Sequence, residues 1–201
     1  MATSYRDKNP ITTSQHIEAW TLGMKLLIGS LSIFFLAGIL GYVVIQQQHI
    51  SLRYSKAFTI PMSLWWSTAA LILVSFAMHR AMVSVRREQF QTKRMILISL
   101  AGAVAFTVFQ IVGMTEVLQG HYQLLFTSEK GMNGIAFCLM LMHALHVAIG
   151  LIWLGVVAKN IFTYRYDHEY HLGLSLCAFY WHFLDFIWIV MFLVFIGTNL
   201  A

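Results

Sequence analysis

Charge is the scarcest commodity in this chain. Asp, Glu, Lys and Arg make up only 10% of its 201 residues, against 59% hydrophobic residues, too little polar surface to clothe a water-soluble globule. Proline occurs twice, so long stretches run without an imposed helix break. Cysteine also occurs twice, as Cys138 and Cys177. Both sit inside apolar runs with no CxxC or paired Cys/His loop spacing, which argues against a disulfide or a zinc site and for buried apolar thiols. No small-residue cleavage pattern follows the first apolar run, so a cleaved signal peptide is not expected. Ten-residue alternating barrel strands are absent, and no internal repeat divides the chain into the equal halves common in transporters.

What is present is a mean hydropathy of +0.70 concentrated in five apolar runs, roughly 22–47, 61–85, 95–118, 133–158 and 172–197. Each is about the 20 residues needed to span a bilayer, and backbone groups in hydrocarbon must bond within their own segment, so all five are expected to be helices. The reading is an all-α membrane protein, a five-transmembrane-helix bundle occupying residues 21–199. It follows a polar tail over residues 1–20 in which Ile17 to Trp20 lie at the interface.

Basic residues sit mostly on one side of these runs. Ten Lys and Arg (Arg6, Lys8, Lys25, Arg80, Arg86, Arg87, Lys93, Arg94, Lys159, Arg165) fall on the amino-terminal side, and Arg53, Lys56 and Lys130 on the other. The bias predicts a cytoplasmic amino terminus and a periplasmic carboxy terminus. The net charge of +5 belongs to these connecting segments and gives no support for nucleic-acid binding. Gly38 and Gly41, the run Ser67-Thr68-Ala69-Ala70, Ala101-Gly102-Ala103 and Gly150 mark places for close helix approach.

Against this apolar background one polar group is out of place. Asp185, in Tyr180-Trp181-His182-Phe183-Leu184-Asp185, falls deep in the fifth run, where a carboxylate costs about 2.5–3.5 kcal/mol on insertion scales and so is expected to face protein or water with a partner. His182 lies three residues earlier on the same helical face. The fourth run carries His143 and His146 at the same spacing. Trp181 and Trp188 lie too deep for an interfacial belt, whereas Trp65 and Trp66 fit one.

The fourth and fifth runs are joined by about a dozen residues and are expected to be antiparallel neighbours. At about 1.5 Å per residue, His146 lies roughly 18 Å above Ala158 and His182 roughly 16 Å above His171, with His143 and Asp185 both near 21–22 Å. The expectation is that His143 or His146 partners Asp185 or His182 across this helix pair. Three uses of such a group present themselves: a structural clamp that orients helices or anchors a lipid headgroup or a subunit, which leads; proton handling; and haem or metal ligation, for which histidines three apart on one helix are poorly spaced.

At these residues the chain resembles a known family. His143-Ala144-Leu145-His146-Val147, followed by Gly150 and Leu154, is similar to the His-Gly-Leu-His-Val segment of subunit III of the haem-copper terminal oxidases, the cytochrome c and quinol oxidases. Ala144 replaces that segment's glycine. His171 and then Tyr180-Trp181-His182-Phe183-Leu184-Asp185-Phe186-Ile187-Trp188 resemble the family's Tyr-Trp-His-Phe-Val-Asp-x-x-Trp signature. Looser correspondences run through Gln110, Ser67, Pro61 and Ser30. Five spans with a cytoplasmic amino terminus look like the short bacterial form.

The resemblance implies a non-catalytic subunit in a bacterial inner membrane, with no redox centre of its own. It would pack on the catalytic subunit I beside subunit II, which carry the haem and copper, bind phospholipid and support proton uptake in a proton-pumping oxidase. The expected clamp and contact residues are His143, His146, His182 and Asp185, with Trp181 and Gln110. The chain departs from the family where Leu31, Gly113 and Ser175 stand at positions often occupied by acids, so no role of those acids carries over. The alternatives are an accessory subunit of a nitric oxide reductase and a freestanding His-ligated membrane cytochrome.

Overall fold

The computed structural model describes residues 10–51, 60–85, 89–126, 133–163 and 172–200. They form five helices: α1 (Pro10–Ser51), α2 (Met62–Val85), α3 (Gln89–Phe126), α4 (Asn133–Phe162) and α5 (Leu172–Leu200). No strand occurs among the described residues, and all five helices are long and apolar enough to cross a membrane. This is a multi-pass helical membrane bundle.

The helix ends differ from the expected ones in two useful ways. The polar segment expected as a tail is helical from Pro10, because proline is tolerated in a first turn and nothing between it and Gly23 breaks a helix. Residues 1–9 lie outside the described residues, as does His171. On the same side of the bundle α4 continues one turn past Ala158 to Phe162. Lys159 and Asn160 stay polar and the helix simply carries them out of the apolar layer, closing with Thr163 N–H donating to Lys159 O at 3.0 Å.

Several hydroxyl groups inside the spans are satisfied locally. Ser32, Thr68, Ser99 and Thr107 each donate to the carbonyl four residues earlier, and Ser67 to the one three residues earlier. Such back-bonding lets a hydroxyl sit in hydrocarbon without an unsatisfied proton. α2 starts on the same logic, with Pro61 needing no N–H partner and its carbonyl accepting from Leu64 N at 3.1 Å.

Packing follows the small residues. α2 and α3 make the most extensive interface, where a Cβ on Gly102 would fall 2.8 Å from Val74 and one on Gly113 2.8 Å from Leu64 Cγ. Glycine is what lets these two backbones close. Gly41 has no neighbour within 4 Å and plays no such part. α5 is the best covered helix and packs against α1, α2 and α4. The outward faces carry Ile33, Ile72, Phe76, Ile152 and Leu193, all at least half exposed, as expected where the solvent is lipid rather than water.

Candidate functional site

α5 holds half of the six candidate residues, Trp181, His182 and Asp185, and its neighbours determine what each one meets. Towards α4, the fully buried Trp181 donates its indole N–H to Gly150 O at 3.1 Å. Tyr180 donates its hydroxyl to His146 O at 3.1 Å. Both acceptors are helix carbonyls, and Gly150 lets the two helices approach closely: a Cβ there would sit 3.2–3.4 Å from Tyr180, Trp181 and Leu184. The α4–α5 contact is therefore clasped by two aromatic donors rather than by histidine.

These bonds also set the register. With Trp181 opposite Gly150 in antiparallel helices, His143 falls level with Trp188, and the two rings stack at 5.3 Å with a 30° interplanar angle. Asp185 is level with His146, about 4.5 Å from the level expected by counting from the connecting segment. The extra turn at the end of α4 moves its histidines in this direction.

The expected pairing of an α4 histidine with Asp185 or His182 does not form among the described residues. His146 Nδ1 bonds to Met142 O on its own helix at 2.7 Å. His143 is buried with both ring nitrogens unbonded. It is enclosed by Trp188 and by the edges of Phe35 from α1 and Phe106 from α3, each with its centroid 6.3 Å away. It behaves as an aromatic core residue joining four helices.

Asp185 and His182 instead meet α2. His182 Nδ1 lies 2.9 Å from Ser75 Oγ and 3.8 Å from Asp185 Oδ2, so the i, i+3 pair shares a helix face as expected. Asp185 is only 5% exposed, and neither carboxylate oxygen has a hydrogen bond of good geometry among the described residues. Nearer the start of α2 the Trp188 indole donates to Thr68 Oγ1 at 3.1 Å. On the α1 side, Tyr42 donates to Thr198 Oγ1 at 3.1 Å and Gln46 to Thr198 O at 3.4 Å. Gln110 is buried on α3, its amide N and O both without a partner among the described residues.

So the candidate residues divide into separate places: Trp181 with the carbonyl clasp, His143 and His146 in the aromatic core, His182 and Asp185 on the α2 seam, and Gln110 alone. Sequence reasoning missed Ser75 and Thr68, the α2 hydroxyls that receive α5. Their signal was faint, since hydroxyls are common in spanning helices. Among the described residues no three His, Cys, Asp or Glu side chains converge as a metal site.

Comparison with known proteins matches the family described as cytochrome c oxidase subunit III over residues 12–197. The chain is 30% identical over 118 residues to cytochrome c oxidase subunit 3 of Yarrowia lipolytica, covering 58% of this chain and 41% of that protein. It is 30% identical over 125 residues to those of Scyliorhinus canicula and Oncorhynchus clarkii, covering 62% of this chain and 44% of each. The chain thus aligns with under half the length of these relatives. With a match running through all five helices and through the Trp181, His182 and Asp185 segment, the chain belongs to the cytochrome c oxidase subunit III family.

Proposed function

We propose that this chain is a non-catalytic subunit III of a proton-pumping haem-copper terminal oxidase in aerobic respiration. In this reading it sits in a bacterial inner membrane with its amino terminus cytoplasmic, packs on the catalytic subunit beside subunit II, and leaves haem and copper to those partners. It stabilises the catalytic subunit and supports its proton uptake. The observation that carries the reading is the family match along residues 12–197.

Two features of the bundle agree with it. The core is held by aromatic donors to carbonyls and hydroxyls, an arrangement suited to a scaffold. A groove of about 480 Å³ lined by Trp20, Met24, Leu27, Trp153 and Leu176 between α1, α4 and α5 is apolar and offers a place for a phospholipid acyl chain.

The test is affinity purification of the tagged chain from native membranes in mild detergent. Haem-copper subunits I and II should copurify, and the visible spectrum should belong to them. A chain that carries stoichiometric iron or copper when isolated by itself refutes the reading. Asp185→Leu should reduce recovery of the partners, or shorten sustained turnover, with the haem absorbance of the assembled complex unchanged; a lost haem spectrum with assembly intact contradicts this.

A further inference from the structure

The polar seam between α2 and α5 opens outward. His182 keeps 36% of its side chain exposed, while the Asp185 carboxyl 3.8 Å from its Nδ1 is covered and has no hydrogen bond of good geometry among the described residues. From Leu172 to His182 is ten residues, about 15 Å, half the thickness of a hydrocarbon layer of about 30 Å. The exposed imidazole therefore lies at mid-membrane depth. On α5 it is flanked at i−3 and i+4 by Phe179 and Phe186, 48% and 62% exposed, and on α2 Ser75 is followed by Phe76 at 63%.

A polar group at that depth is not stable facing acyl chains. Ionisable side chains within spans turn to protein or to water-filled cavities. Ser75 occupies Nδ1 of the ring, which leaves Nε2 as the nitrogen for a further partner. The nearby Asp185 carboxyl brings acidic character, with no Lys or Arg on α5; on α2 the Arg80 guanidinium is engaged over the Phe76 ring, 5.5 Å from its centroid. The complement of such a patch is a hydrogen-bond donor carried by another membrane-spanning helix, with the surrounding phenylalanines packing against that helix's apolar surface.

We propose that the α2–α5 face centred on His182 is a docking surface for a transmembrane helix of a neighbouring subunit, whose hydroxyl, amide or cationic side chain donates to His182 or Asp185. This rests on the reading of the chain as one subunit of a larger membrane complex, and it names the face that reading leaves open. Around Ile33 and Ile152 the α1 and α4 outward faces are lined by apolar side chains apart from Ser30, whose hydroxyl donates to Leu27 O on its own helix.

The test is photo-crosslinking in native membranes with a benzophenone amino acid replacing Phe76 or Phe186, and Ile33 or Ile152 as comparison positions. The seam positions should give a discrete adduct with one other polypeptide. Its attachment site, read by mass spectrometry, should lie in an apolar segment that carries a Ser, Thr, Asn, Gln, Lys or Arg within one turn. Ile33 and Ile152 should give at least fivefold less of it.

Combining Asp185→Leu or His182→Leu with the Phe186 probe should lower the adduct at least fivefold, and His182→Gln should restore most of it. Purified variants that keep the wild-type helical circular dichroism separate this loss from misfolding. Adducts with lipid alone, or with a second copy of this chain, overturn the proposal. So does a subunit adduct that arises equally from Ile33 or Ile152. Failure of any oxidase subunit to copurify with the wild-type chain defeats the functional reading instead, and is seen before any crosslink is made.

Discussion

Replacing Trp181 separates packing from hydrogen bonding at the α4–α5 clasp. Trp181 is fully buried, and its one donor bonds to Gly150 O at 3.1 Å. Trp181→Phe keeps an aromatic ring but removes the donor. Interhelical hydrogen bonds in membranes average about 0.6 kcal/mol and reach about 1.7, and Gly150 O keeps its place in the α4 ladder, so the expected loss is about 1 kcal/mol. Trp181→Ala removes the ring as well. Core Trp→Ala changes cost about 3–5 kcal/mol, and the lower end applies where lipid, itself apolar, is the alternative environment, giving about 3 kcal/mol. The assay is unfolding of the detergent-solubilised chain by SDS titration, followed by circular dichroism. Equal losses for the two variants, or a Trp181→Ala loss under about 1 kcal/mol, would refute the reasoning that this side chain is the packed pin of the seam.

Three further outcomes can be checked in the same way. In a double-mutant cycle, Trp188→Phe and Thr68→Val should couple by about 0.6–1.7 kcal/mol, because their single hydrogen bond joins α5 to α2; strict additivity of the unfolding free energies counts against that bond. Gly38→Val should destabilise by about 1–3 kcal/mol through overpacking, since a Cβ there falls 2.6 Å from Leu139 Cδ2, and Leu139→Ala in the same chain should recover much of the loss. Gly155→Ala meets nothing within 4 Å and should leave stability unchanged or raise it by up to about 1 kcal/mol; a clear loss of thermal stability contradicts the open surface at that position.

The spans were legible because hydropathy is a local property. Runs such as 133–158 and 172–197 exceed the thickness of a bilayer whatever they pack against, and Pro61 marks the start of α2 in the sequence as in the fold. Helix ends were less legible where polarity and helix propensity diverge. Residues 10–20 are polar enough to read as a tail, yet they remain helical. Likewise Lys159 to Phe162 extend α4 beyond its apolar run, and that one turn is what misplaced the depth of His143 against Asp185.

The i, i+3 relation of His182 and Asp185 follows from helix geometry alone, and the sequence sufficed for it. The partner did not follow. Ser75 is 107 residues away from His182, and nothing in the pattern of α2 distinguishes its hydroxyl from those of Ser67 or Thr68. That His143 would stand among Phe35, Phe106 and Trp188, rather than opposite a carboxylate, depends on four helices meeting at one level.

By itself, then, the sequence determined that this is a five-span helical membrane protein with a polar pair deep in its last helix, because apolar length and the 3.6-residue repeat act within each segment. Only the tertiary structure decided that α4 and α5 are joined through Trp181 and Tyr180 to backbone carbonyls, and that His182 and Asp185 turn to α2. The first rests on Gly150, which lets α4 and α5 approach closely, and the second on the Ser75 and Thr68 hydroxyls that α2 offers to α5. Helix pairing between surfaces of similar apolarity is selected by shape and a few hydrogen bonds rather than by hydrophobicity.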